Sequence, residues 1–146
     1  MYDDILLPTD GSDGIAEAAS HAGELARQFG ATVHVLSVVD TRNRFESPTG
    51  GLSDAAWTEA ERERAETAIE KTVDALPDGV AIETSIVEGV PKTEILDTVT
   101  DEGMDIVVMG THGRTGLDHY LIGSVAEKVV RRSPVPVVTV RLGDES

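Results

Sequence analysis

The run Asp105-Ile-Val-Val-Met109-Gly110-Thr-His-Gly113-Arg-Thr-Gly-Leu-Asp-His-Tyr-Leu-Ile-Gly123-Ser124 decides how this chain is read. A short apolar, β-branched stretch leads into two glycines separated by two residues, then nine residues, then a Gly-Ser pair. This pattern predicts a buried strand that passes through a glycine loop to the N-terminus of a helix. Such a junction suits an anion: glycines let main-chain N–H groups approach it, and the helix end adds partial positive charge. Ser124 stands three residues before Glu127 and reads as the N-cap of the new helix, in a capping box. The run therefore predicts a nucleotide-phosphate loop.

Strand and helix patterns alternate on either side of it, which points to a mostly parallel α/β sheet. Ile5-Leu6-Leu7 is a short buried strand closed by Pro8-Thr9-Asp10-Gly11, and Ser12 reads as the N-cap of a first helix with Asp13 in its first turn. Ile15, Ala18, Ala19, Ala22, Leu25, Ala26 and Phe29 share one face of that helix, and Gly30 stops it. Ala31 to Val39 is a second strand. Asp40 to Ser53 is polar, with Pro48, Gly50 and Gly51, and reads as a mobile loop. A long charged helix from Asp54 to Leu76 turns Trp57, Ala60, Ala68, Ile69, Val73 and Leu76 inward.

Val80 to Glu88 is the third strand. Pro91 starts a third helix with Ile95, Leu96 and Val99 inward, and Gly103 ends it. Ile106 to Met109 is the fourth strand, Val125 to Arg132 the last helix, and Val135 to Val140 the fifth strand. One domain over residues 1–146 is expected, without repeat or linker.

Five strands wound this way predict the order 3-2-1-4-5, with helices on both faces. Connections leaving strands one and four then depart in opposite directions, and ligands of open α/β sheets bind in the crevice between them. Pro8-Thr9-Asp10 ends strand one and Met109-Gly110 ends strand four, so two distant segments are expected to meet there.

The composition bounds the rest. Hydrophobic residues make up 40% and aromatics 3%, so the core must be built from Val, Ile, Leu and Ala. No cysteine is present, which excludes disulfides and thiolate metal sites. The first residues show neither a basic region nor a long apolar run, so a cytoplasmic protein with no membrane span is expected. Twenty-seven acidic against 12 basic residues give a net charge of −15, a surface that repels nucleic acid. Only three of the 12 cations are lysine, and high acidity with scarce lysine suggests adaptation to molar salt. A nucleotide would need main-chain donors here, and the glycine loop supplies them.

Residue by residue, the functional reading competes with a plainer one. Asp10 suits a ribose hydroxyl or an adenine amine, but Thr-Asp-Gly-Ser is also ordinary turn chemistry. Its place beside the glycine loop at the switch point favours the ligand. Val38 and Val39 are placed to line an adenine pocket through side chains and main-chain groups; a plain core role competes with this, more strongly for the side chains. Arg114 lies in the loop, where a guanidinium can fork onto phosphate oxygens. His112 and His119 have no third ligand near them in sequence and read as loop histidines, His112 being grouped with the binding residues as part of the loop. Lys128, Arg131 and Arg132 suit the dipole at their helix end. The chain carries no G-x4-G-K-[ST], no G-x-G-x-x-G after strand one, no G-x-S-x-G and no H-E-x-x-H. The site reads as built to hold a ligand more than to transform one.

These residues resemble the universal stress proteins, in particular their ATP-binding branch, along essentially the whole chain. The resemblance rests on Leu7-Pro8-Thr9-Asp10-Gly-Ser, Gly89-Val-Pro91, the Asp105 to Arg114 run, and Gly-Ser-Val-Ala-Glu leading into Ser133-Pro-Val-Pro-Val-Val. The family's G-x2-G-x9-G-[ST] pattern is met by Gly110, Gly113, Gly123 and Ser124. The resemblance implies a Rossmann-like fold of the adenine nucleotide α-hydrolase type. It also implies that Asp10 contacts ribose or adenine, that Pro8, Thr9 and Val39 line the base, and that Met109 and Gly110 pack on the nucleoside. Gly113, Arg114, Gly123, Ser124 and Val125 would hold the phosphates, with Mg or Mn carried by the phosphates. A homodimer through Val135 to Val140 is implied as well. The expectation is an ATP-binding stress-response regulator. A slow ATPase or group-transfer enzyme and a nucleotide-free dimeric module are the alternatives.

Overall fold

The computed structural model describes residues 2–12, 14–41, 54–111 and 123–141. Strand β1 is Asp4–Pro8, and Ile5, Leu6 and Leu7 are all fully buried. An unbroken apolar run forms a strand here because both faces of the sheet are covered. β2 (Thr32–Asp40), β3 (Ala81–Gly89), β4 (Ile106–Gly110) and β5 (Val137–Val140) complete a parallel sheet in the order β3-β2-β1-β4-β5. This is the order expected from the alternating pattern.

The two periodicities of the sequence sort the core. Ile5, Leu7, Val33, Val35, Ile106 and Val108 point to one face, under helices α1 (Ile15–Phe29) and α2 (Asp54–Ala75). Leu6, Leu36, Val107 and Met109 point to the other, under α3 (Pro91–Asp101) and α4 (Ser124–Arg132). Alternate residues of a strand face opposite ways, so each strand feeds both layers. A third small cluster joins Val39 to Trp57 and Ala65 of α2.

One side chain ties the sheet's central pair together. Asp105, just before β4, accepts the N–H groups of Asp3 and Asp4 at 2.8 and 2.9 Å, while its own N–H donates to the Asp4 carbonyl at 2.8 Å. This sets Ile5 beside Ile106 and Leu6 beside Val107. The same register, carried forward, brings the C-terminal ends of β1 and β4 level.

Several local expectations are corrected. Ser12 is not the side-chain cap of α1: Gly14 takes the cap position, and Ser12 instead offers its carbonyl to the Ile15 N–H at 3.1 Å. Ser124 is not a cap either. It is the first residue of α4, Gly123 holds the cap position, and the Gly123 carbonyl receives the Glu127 N–H at 2.9 Å. One residue of register removes the capping box. Phe29 is 41% exposed and meets Tyr2 edge-on, ring centroids 5.0 Å apart, instead of entering the core. On α2, Ala60 is exposed, while Ala65 and Thr72 are buried. β5 begins at Val137, so Val135 and Pro136 precede it; a proline has no N–H to give to a ladder. Asp13 and residues 42–53 lie outside the described residues.

Candidate functional site

Three strand ends converge. Pro8 pairs with Leu36, and the Thr9 N–H extends that contact to the Leu36 carbonyl at 2.8 Å. β1 then turns away, while β2 runs on to Asp40 paired with β3. Main-chain groups of a parallel strand alternate between neighbours. Leu36 faces β1, and Thr41 faces β3 through its N–H to the Gly89 carbonyl at 3.2 Å. Val38, two residues from Leu36, therefore presents its main chain on the β1 side, next to the turn that carries Asp10. Val39 faces the other way, and its side chain is 2% exposed against Trp57 and Ala65. The main chains of Val38 and Val39 thus face different strands, although both residues line one crevice.

The turn after β1 is held from within. The Asp10 carboxylate accepts the Ser12 N–H at 2.9 Å, an Asx-type turn. The Thr9 hydroxyl accepts the Gly11 N–H at 3.0 Å. Gly11 has φ +80°, a left-handed conformation that suits glycine. Asp10, Ser37, Val38 and Val39 form one side of an open crevice, and Glu61, Arg64, Ala65 and Ala68 of α2 form the other. Sequence reasoning passed over Ser37, Glu61 and Arg64. Only the helix periodicity placing Trp57 and Ala68 inward hinted that this face of α2 meets the strand ends.

The glycine loop is described at both ends. Thr111 donates its N–H to the Val140 carbonyl at 3.1 Å and accepts the Gly123 N–H at 2.6 Å, so the chain that leaves β4 returns beside its point of departure. Gly110, Gly123 and Ser124 are thereby brought together. α4 begins there, and the first N–H groups of any helix, here those of Ser124 and Val125, have no acceptor within it. Met109 is buried in the core beneath, with Val107 and Val129. The β1–β4 pairing runs through Leu6 and Val107, and Pro8 and Met109 each stand two residues beyond it at the same end of the sheet. Those residues do not line the crevice against α2, which adjoins them across the end of β1. His112, Gly113, Arg114 and His119 lie outside the described residues. Among the described residues no group of three His, Asp or Glu side chains is arranged to hold a metal ion, and no helix is long and apolar enough to cross a membrane.

Known proteins share this fold. Residues 1–141 match the universal stress protein family. The universal stress protein MJ0531 of Methanocaldococcus jannaschii is 40% identical over 146 aligned residues, covering 97% of this chain and 83% of the relative. MJ0577 of the same organism, also a universal stress protein, is 35% identical over 97% of this chain and 96% of its own length. The solved structure of MJ0577 superposes with a TM-score of 0.76 at 33% identity, covering 99% of both chains. The match spans the strand ends, the pinched glycine loop and the start of α4 alike, and this chain belongs to the universal stress protein family.

Proposed function

We propose that this chain binds an adenine nucleotide, ATP foremost, across the C-terminal ends of β1, β2 and β4, and acts as a nucleotide-dependent stress-response regulator. The observation that carries the reading is the bond from the Gly123 N–H to the Thr111 carbonyl, which brings the two described ends of the G-x2-G-x9-G-[ST] run together at the N-terminus of α4. In this reading Gly113, Arg114, Gly123, Ser124 and Val125 take the phosphates, drawing on helix-end N–H groups and the Ser124 hydroxyl. Asp10 takes ribose or the adenine amine, and the main chain at Val38 faces the base. Mg or Mn travels with the phosphates, coordinated by their oxygens.

The protein is proposed to hold ATP as a conformational ligand, with hydrolysis weak at most, and to work in the cytoplasm of a salt-adapted cell. A homodimer through β5 fits the sheet. β5 ends the strand order with Val137, Val138 and Val140, whereas the opposite edge strand β3 carries exposed Glu83 and Glu88, charges that discourage edge pairing.

The test is mass spectrometry of nucleotide released from the heat-denatured protein, purified in high salt, with Gly113→Val as control. ATP in the parent and none in the variant is the expected result. ADP or AMP in place of ATP, together with a time course of ADP release, would shift the reading to an enzyme. A parent that carries no nucleotide and takes up none on titration refutes nucleotide binding.

A further inference from the structure

One side chain outside the phosphate loop is tied to the Asp10 turn through a continuous hydrogen-bond chain. Thr72 of α2 is fully buried, a polar side chain in an otherwise apolar interface. Its hydroxyl lies 2.8 Å from the Ala68 carbonyl and 2.9 Å from the Thr9 hydroxyl. Thr72 has one proton to give, and a carbonyl can only accept. The proton of Thr72 therefore goes to Ala68, the proton of Thr9 goes to Thr72, and the Thr9 oxygen accepts the Gly11 N–H. Every member of the chain is satisfied in one direction only. Thr9 is itself 8% exposed, so water is a poor substitute for any missing link.

The same stretch of α2 makes one further bond to Gly11 and packs closely against it. Lys71 donates to the Gly11 carbonyl at 3.0 Å, and a Cβ on Gly11 would come 3.1 Å from the Ala68 Cβ. Ala68, Lys71 and Thr72 are spaced i, i+3, i+4, which puts them on one helical face. That face meets residues 9–11, immediately around Asp10. Nothing in the packing of a sheet on a helix requires a hydroxyl at this point; valine has the same shape. What the hydroxyl adds is a direction for Thr9 and a fixed path for the turn.

We propose that Thr72 is a positioning residue for the nucleotide: through Thr9 it sets the turn that presents Asp10, and so couples the docking of α2 to ligand affinity. The proposal rests on the nucleotide-site reading above.

The test compares the parent with Thr72→Val, which keeps the shape and removes the hydroxyl, and Thr72→Ser, which keeps the hydroxyl. ATP affinity is measured by calorimetry in high salt, and amide hydrogen exchange is followed at Gly11, Val107 and Val108. In Thr72→Val, ATP binding is expected to weaken roughly 10-fold, the usual scale for a lost buried hydrogen bond. Exchange at Gly11 is expected to accelerate, while Val107 and Val108 stay protected as in the parent. Thr72→Ser is expected to bind within about 2-fold of the parent. Parent-like affinity and Gly11 exchange in Thr72→Val overturn the proposal, and so does a Thr72→Ser variant as weak as Thr72→Val. Should Thr72→Val not fold, Thr72→Cys takes its place with the same expected loss. A parent that takes up no ATP refutes the nucleotide reading, and the Gly11 exchange result then decides the positioning role alone.

Discussion

Gly23 sits in the middle of α1, where alanine would ordinarily be welcome. Replacing an interior helix glycine with alanine gains about 1 kcal/mol of propensity. Here a Cβ on Gly23 would lie 2.3 Å from Cδ and 2.7 Å from Cγ of Pro77, in the connection that follows α2. Both atoms belong to a pyrrolidine ring, which cannot swing aside as a flexible side chain would. Either α1 or the Pro77 segment must retreat by roughly 1 Å to restore van der Waals contact. Overpacking of this kind costs ~1–3 kcal/mol, and a rigid partner puts the cost in the upper half of that range. The clash outweighs the propensity, leaving Gly23→Ala less stable than the parent by about 1–2 kcal/mol. For a domain of this size that lowers Tm by roughly 2–8 °C. Calorimetry on a double-mutant cycle isolates the cause. In a Pro77→Ala background the same Gly23→Ala change is expected to be neutral or stabilising, a coupling of at least ~1 kcal/mol. Equal penalties in both backgrounds, or a Gly23→Ala single variant as stable as the parent, would refute the steric argument.

Asp105→Ala removes the acceptor shared by two N–H groups and is expected to cost ~1–3 kcal/mol in urea unfolding, with Asp105→Asn recovering part of it; a loss within error for both variants means the staple is idle. Val129→Ala, at a fully buried position of α4, is expected to cost about 1–3 kcal/mol by loss of contact and cavity formation, read as a lower denaturation midpoint at unchanged slope. With a net charge of −15, self-repulsion opposes folding, and salt screens it. Tm is therefore expected to rise between about 0.1 M and about 3 M KCl. A flat or falling curve would remove the argument for salt adaptation.

The alternation of apolar strands with amphipathic helices was legible because one period serves each element type and both faces of the sheet are covered. Pro91 at the start of α3 and Gly30 at the end of α1, with φ +67°, were legible too, since each constrains a single backbone angle. Caps were harder to read. Ser12 and Ser124 have the right chemistry, yet each helix boundary is set by where the preceding strand end releases the chain. A shift of one or two residues changes which group meets the first N–H. Phe29 and Ala60 fit their helical stripes yet are exposed, since periodicity carries no information about where a packing neighbour ends.

By itself the sequence determined the layer architecture, the strand order, and the association of the glycine run with a strand end and a helix start. Local chemistry and short-range periodicity suffice for these. Tertiary structure alone decided that Val38 and Val39 face different neighbours, because that depends on the strand beside which β1 ends. It alone brought Glu61, Arg64, Lys71 and Thr72 to the Asp10 turn, across more than fifty residues of chain. A polar residue on a helix looks the same in sequence whether it faces water or a buried hydroxyl. Only the packed partner distinguishes the two, and for Thr72 that partner is Thr9.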